Sequence, residues 1–416
     1  MTAPVSAARL SGTPLPAANS SRSPGIAVAV RPSGSVTTVT TSSGARSTNT
    51  APRTSTTIST LGAERQSTFP AVLTTSGTHL MMSGATYRDV GVDAYEIGTY
   101  WGVNAGCGAM LTDSELNAFF AGLPPQTMVR VWVFQGSMAI NVRTGQLDWR
   151  PLDRLFNAAA AHGDLLIASL GNQDGTCDDG HWKDIPWYTG GSRLSYGTDW
   201  EGTNPISYWS YLQQIVPRYA NSPALGMWEP INEPEATTCT AKGAGPGSCQ
   251  LSCPNESAAA SALRSFFDTV GGEIHALDPH HLVEAGFLGG GQCGTQGHDF
   301  QYVGASSGID VLSYHDYYAP GASLGGDQWN GIGLRIQQAG ALGKPIIAGE
   351  IGITAGPQPG CLSVASRATD FGSKISTQSK AGAAVFLSWD WVPATASPCG
   401  YDMAPGDPYL RQLGRF

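Results

Sequence analysis

Charge is scarce in this 416-residue chain, and long apolar runs are missing from it. Only 13% of its residues are Asp, Glu, Lys or Arg, with 23 basic against 32 acidic and a net charge of −9. There is no Lys/Arg-rich stripe to neutralise phosphates, so nucleic acid is not an expected partner. No run of about 20 apolar residues occurs, so no membrane-spanning helix is expected. The stretch Gly25–Val30 falls short of the h-region of about 7–15 residues that a secretory signal needs, so no signal peptide is evident. Metal spacing is absent too. The eight cysteines, Cys107, Cys177, Cys239, Cys249, Cys253, Cys293, Cys361 and Cys399, include no Cys-x-x-Cys pair and lack clustered histidines. Disulfides are therefore expected, with Cys107–Cys177 and Cys361–Cys399 as the anticipated pairs and the other four bonding locally. What the chain has instead is 53 Gly and 11 Trp, a composition of long polar loops carrying aromatic rings.

Ser33 to Thr60 is dominated by Ser and Thr and has no apolar period. It cannot bury enough surface to offset its ordering entropy, so residues 1–65 read as a disordered N-terminal region or linker and 66–416 as the folded domain. Near Phe69, Ala71–Leu73 and His79–Met82 read as a hairpin capping a barrel floor. Eight strand-like runs follow: Val90–Tyr95, Met128–Phe134, Leu165–Leu170, Leu225–Trp228, His281–Phe287, Val311–Tyr314, Pro345–Ala348 and Ala383–Trp389. Amphipathic segments lie between them, such as Pro151–Ala161, Ser207–Tyr219, Glu256–Leu277 and Val364–Lys380. Strand-helix alternation eight times over predicts an α/β fold, a closed (β/α)₈ TIM barrel, with a doubly wound open sheet as the competing topology.

Two isolated acids stand at strand ends, Glu233 in Trp228–Pro234 and Glu350 in Ile347–Gly352. In a barrel such positions converge on one cleft. A close carboxyl pair is what glycoside hydrolysis with retention needs: one acid protonates the leaving oxygen and the other attacks the anomeric carbon. Arg130 interrupts the apolar run Val129–Trp132, where an unpaired guanidinium is very costly to bury, so it must meet a carboxylate. Candidates are the reactive acids, Glu229 and Asp93.

In order along the chain stand Gly91-Val-Asp-Ala-Tyr95, Arg130-Val-Trp-Val-Phe134, Trp228-Glu-Pro-Ile-Asn-Glu-Pro234, His315-Asp-Tyr317, Gly349-Glu350 and Trp389. Over roughly Phe69 to Phe416 this set resembles the family 5 glycoside hydrolases of clan A, and within them the endo-β-mannanase-like members. The third strand ends in Leu170-Gly-Asn-Gln173, without the His of many cellulase members, which favours the mannanase-like branch. The resemblance implies Glu233 as acid/base, Glu350 as nucleophile, Asn232 on the sugar 2-hydroxyl and Arg130 supporting the nucleophile. It puts His315 and Tyr317 beside the two glutamates and Trp389 under the sugar at the cleavage point. Tyr314 and Tyr318 are rivals of Tyr317 by a shifted register. Trp391 is a rival of Trp389, since alternation puts both on one face of a strand. Among the loop aromatics, Trp101, Trp182 and Trp187 are the expected sugar platforms, because they follow strand ends and a ring offers a flat apolar area to a pyranose.

Two other motifs fail on context. Gly304-Ala-Ser306-Ser-Gly308 matches a nucleophile elbow, but a strand follows it where a helix is required. Gly289-Gly-Gly291-Gln-Cys-Gly294 has the glycines of a dinucleotide loop and no helix after it to receive a pyrophosphate. The expectation is thus a secreted, monomeric retaining endo-β-glycosidase cutting β-1,4-linked mannan or glucomannan by double displacement, with no cofactor and no metal. A β-1,4- or β-1,3-glucanase is the nearest alternative, and a non-catalytic glycan-binding barrel is the alternative of another class.

Overall fold

The structure is a computed structural model, and it describes residues 72–98, 111–136, 140–141, 146–193, 206–239, 251–253, 255–395 and 397–416. The Ser/Thr-rich segment 1–65, Cys107, Cys249 and Trp101 lie outside the described residues.

The eight expected strands are present as Asp89–Asp93, Met128–Trp132, Leu165–Ser169, Leu225–Glu229, Leu282–Val283, Leu312–Asp316, Ile346–Gly352 and Val385–Trp389. Neighbours pair in parallel in the order fifth, fourth, third, second, first, eighth, seventh, sixth. A parallel bridge between Glu284 and Val311 joins the two ends. The sheet is therefore a closed (β/α)₈ barrel, and the open doubly wound alternative is excluded. Most of these strands are buried along their whole length, because helices cover one face and the barrel interior the other.

The helices begin and end where local chemistry dictates. Asp113–Ala121 starts at a capping box between Thr112 and Glu115. Arg150–His162 carries Pro151 in its first turn and stops at Gly163, whose φ of 77° is left-handed. Glu256–Leu277, read from the sequence as one helix, runs through a π-helical turn at Phe267–Gly271. Gly271 permits a close crossing there, since a Cβ on it would fall 2.1 Å from the Gly308 carbonyl oxygen. Ser306, buried in the turn after the helix Asp299–Gly304, is preceded by helix rather than strand, so it is no nucleophile elbow.

The hairpin Leu73–Ser76 and His79–Met82 extends to a third short strand, Ala85–Thr86. Its Leu73, Leu80 and Met82 join Met128, Ile167, Met227, Val311, Ile347 and Leu387 in one apolar cluster that closes the barrel floor. A larger cluster fills the space between strands and helices. Among the described residues, no helix is long and apolar enough to cross a membrane. Cys361 pairs with Cys399 as expected, and Cys253 pairs with Cys293 across 40 residues.

Candidate active site at the mouth of the barrel

Alternation along the second strand sorts its side chains by height in the barrel. Met128 belongs to the apolar floor, Arg130 sits above it, and Trp132 lines the cleft. Arg130 is fully buried. Its Nη1 donates to Asp93 Oδ2 at 2.6 Å and to Glu350 Oε1 at 2.7 Å. Nη2 donates to Glu229 Oε1 at 2.6 Å and to Asn232 Oδ1 at 2.5 Å, while Nε reaches Glu229 Oε2 at 2.7 Å. The guanidinium thus meets three of the carboxylates that its place in an apolar strand requires, as a charged layer between floor and cleft. Against the cost of burial, Arg130 holds Glu229 below the usual carboxylate range.

Glu350 owes its inward position to a bulge. Ladder partners pass from Tyr314–Ala348 to His315–Glu350, so Gly349 is an extra residue in the seventh strand. Strict alternation from Ile347, which points to the floor, would turn Glu350 outward; the bulge resets it. Its other oxygen accepts a hydrogen bond from the Tyr317 hydroxyl. Glu233 follows the fourth strand in a left-handed backbone conformation, φ 50°, which is uncommon outside glycine. Its N–H donates to the Gly286 carbonyl at 2.9 Å, and its side chain keeps 33% of its surface exposed to the cleft. The Nδ1 of His315 lies 2.6 Å from Glu233 Oε1 and 3.4 Å from Glu350 Oε2. An oxygen of each glutamate and a ring nitrogen of His315 lie within 4.8 Å of one another.

The two glutamates have different surroundings. Burial pushes the Glu233 carboxyl up to about 7, with Asp174 and Glu229 adding to this and Arg130 opposing it. Burial and the charge of Glu233 raise Glu350 as well, but Arg130 and the Tyr317 hydroxyl, joined by His315 when its ring is protonated, pull it down. When only one of the pair is ionised, the charge rests on Glu350, which holds the guanidinium and phenol donors directly. Burial lowers His315 to about 4 and keeps its ring neutral. A proton-bearing acid beside a donor-supported carboxylate can divide the labour of a double displacement. As ligand atoms for a cation, the described residues offer this same Glu233–His315–Glu350 trio and Cys253–Glu256–Cys293. The cysteines of the second trio are joined in a disulfide and are not thiolate ligands.

The cleft has a volume of about 420 Å³, and its lining includes Asn232, Glu233, Tyr317, Glu350, Trp389 and Trp182. Tyr314 instead donates to Gln378, and Tyr318 is half-buried beside the helix Val364–Ala381, so Tyr317 holds the position. Trp389 is in the cleft and Trp391 is not: the strand ends at Trp389, and Trp391 packs on Phe119, 4.4 Å between ring centroids. The two do not share a face. One further expectation is corrected. Trp187 is no sugar platform; it is 1% exposed and packed against Tyr188, Tyr208 and Phe266, because it falls in the short helix Ile185–Tyr188 that turns it into the core. Arg130 and His315, one fully buried and the other 4% exposed, sit behind the glutamates and contact them.

Sequence reasoning missed Trp132, Asp174, Glu235, Gln292 and Tyr401 in the cleft lining. Trp132 was legible two residues beyond Arg130 on the same strand face. Tyr401 was not: it sits in an irregular loop whose position is set by the Cys361–Cys399 bridge and by contact with Tyr317 at 5.3 Å between centroids.

No family model matches the chain. Among curated proteins it is similar to a probable mannan endo-1,4-beta-mannosidase C of Aspergillus terreus, 28% identical over 282 residues that cover 59% of this chain and 64% of that protein. It is also similar to mannan endo-1,4-beta-mannosidase A of Emericella nidulans, 25% identical over 316 residues, 68% of this chain and 70% of that one. The chain thus spans somewhat under two thirds of the first of these relatives. Among solved structures, the endo-1,4-beta-mannanase of Rhizomucor miehei superposes with a TM-score of 0.57 at 19% identity, covering 82% of this chain and 96% of that one. A glycoside hydrolase family 5 mannosidase of the same organism gives 0.53 at 15% identity, covering 82% and 95%. These structures share the barrel fold. The curated relatives carry the endo-β-mannanase names that the motifs' resemblance implies, and the solved structures carry the same barrel.

Proposed function

We propose that this chain is a retaining endo-β-1,4-mannanase, acting on mannan or glucomannan by double displacement. The observation that carries the reading is that an oxygen of Glu233 and an oxygen of Glu350 lie within 4.8 Å of each other, which supports a retaining pair, whose carboxyls stand roughly 5–5.5 Å apart. Glu350 attacks the anomeric carbon while Glu233 gives its proton to the leaving oxygen. Glu233 then takes a proton from water, which releases the sugar from Glu350. Arg130 and Tyr317 hold Glu350 as a carboxylate, and His315 aligns both acids. Asn232, whose amide is fixed by Arg130 and by Asn172 at 3.1 Å, presents its remaining N–H to the 2-hydroxyl. Trp389, stacked on Tyr95 at 4.9 Å between centroids, is the platform beneath the sugar at the cleavage point, with Trp182 on the cleft wall.

The names of the curated relatives support mannan as substrate, and the disulfides support an oxidising, extracellular location. We read the protein as a monomer, with the barrel from 66 to 416 as its catalytic domain. The test is reducing-sugar release from β-mannan, glucomannan, cellulose derivative, mixed-linkage glucan and xylan, beside Glu350→Gln and in the presence of a chelator. Mannan hydrolysis that survives the chelator and disappears in the variant is expected. Preference for glucans moves the substrate assignment, and activity in Glu350→Gln overturns the nucleophile.

A further inference from the structure

The barrel interior holds a carboxyl group that this reaction does not consume. Glu284 is fully buried at the bridge to Val311 that closes the barrel. Its Oε1 accepts the Gly286 N–H at 2.8 Å, and the Gly286 carbonyl in turn accepts the Glu233 N–H at 2.9 Å. Gly286 has a φ of 67°, and a Cβ on it would fall 2.1 Å from the Ile231 carbonyl oxygen, so this turn requires glycine. At the next step of the strand ladder after Val283–Trp228, the Glu284 carboxyl lies beside that of Glu229, close enough for a hydrogen bond between the two. Its Oε2 meets no N–H or O–H donor of the described residues. Two carboxyl groups form such a contact only with a proton on one of them.

Charge balance indicates which one. Asp93, Glu229 and Glu350 all touch Arg130, and Glu284 stands behind Glu229. Four buried negative charges on one guanidinium are far too costly, and the proton settles on the carboxyl that does not touch the cation. We infer that Glu284 is a positioning residue, held as a neutral acid, that fixes both reactive glutamates at once. Its proton on Glu229 steadies the Glu229–Arg130–Glu350 chain, and its grip on Gly286 sets the backbone of Glu233.

Glu284→Gln keeps a donor for Glu229 and an acceptor for Gly286, whereas Glu284→Met keeps only the volume. On β-mannan, a kinetic comparison that rests on the glycosidase reading, Gln should stay within about threefold of wild-type kcat, and Met should lose at least about 30-fold in kcat with KM within about twofold. A Gln variant as impaired as Met, or a Met variant as active as wild type, overturns the inference. Infrared difference spectroscopy decides the proton without any activity and without the Met variant. In the wild-type minus Glu284→Gln difference spectrum at neutral pH, the carbonyl stretch of one protonated carboxyl should appear, while that of Glu233 is common to both proteins and cancels. A difference spectrum without that band overturns it. Inactivity of the wild type on every glycan would remove the glycosidase reading and leave the spectroscopic result to decide the protonation of Glu284 by itself.

Discussion

Arg130 and Glu350 meet at 2.7 Å, Nη1 to Oε1, with the guanidinium fully buried beneath the cleft that Glu350 lines. The guanidinium therefore acts on the substrate only through the carboxylates it holds, and its removal acts on the fold as well. Arg130→Met leaves Asp93, Glu229 and Glu350 uncompensated in a buried layer, a loss on the order of 3–5 kcal/mol. Arg130→Lys restores the charge without the planar fork and should recover part of that stability and little of the activity. Thermal unfolding of both variants checks this; a Met variant melting with wild type would show that the layer is not held by the cation.

The pH profile should be bell-shaped. Glu233 must be protonated to donate, so with its carboxyl pushed up to about 7, kcat/KM falls as pH rises through that value. Glu350 must be ionised to attack, so the acidic limb reports its carboxyl, raised by burial from the ordinary value. Asp174 supports the proton on Glu233 by its negative charge, so Asp174→Asn should shift the alkaline limb to lower pH and leave the acidic limb in place. A shift of both limbs together would contradict the assignment of the alkaline limb to Glu233.

The two tryptophans separated by the structure should separate in kinetics. Trp389→Ala removes the cleft platform and should raise KM or lower kcat/KM by about 10-fold or more with little loss of stability. Trp187→Ala empties a core site and should cost about 3–5 kcal/mol of stability. KM at a temperature where that variant is folded should stay near wild type.

The cleft walls are stapled from behind. Cys361–Cys399 ties the loop after the seventh strand to the one bearing Tyr401, and Cys253–Cys293 anchors the loop bearing Gln292. Each bridge closes a loop of about 40 residues and contributes a few kcal/mol, about 3–4 in the chain-entropy account. Reduction under native conditions should raise KM more than it lowers kcat, since the reactive glutamates sit on the barrel itself. An equal fall of kcat with KM unchanged would place the effect elsewhere.

The parts of the site that are legible in the sequence are those fixed by the barrel's own periodicity. Glu233 and Glu350 stand at strand ends, and an arginine inside an apolar strand demands carboxylates. The rest was not legible at three places where a local rule is overridden. The Gly349 bulge resets the inward face at Glu350, a step that counting by twos does not show. Trp187 follows a strand end, but Asp184 caps a short helix there that turns the ring inward. Trp391 follows Trp389 by two, yet the strand has already ended. Glu284 was hidden for another reason: a lone Glu in an otherwise apolar strand reads as an outward-facing residue unless its neighbour Glu229 on the adjacent strand is known.

The central claim is that Glu350 becomes covalently bonded to the sugar. It is tested most directly by treating the protein with a 2-deoxy-2-fluoro-β-mannosyl fluoride or a fluorinated manno-oligosaccharide, and mapping the adduct by mass spectrometry of proteolytic peptides. The account predicts one sugar on the peptide containing Glu350, none on that containing Glu233, and release of the β-anomer from natural substrate. An adduct on another residue, or turnover that releases the α-anomer without any adduct, would contradict it.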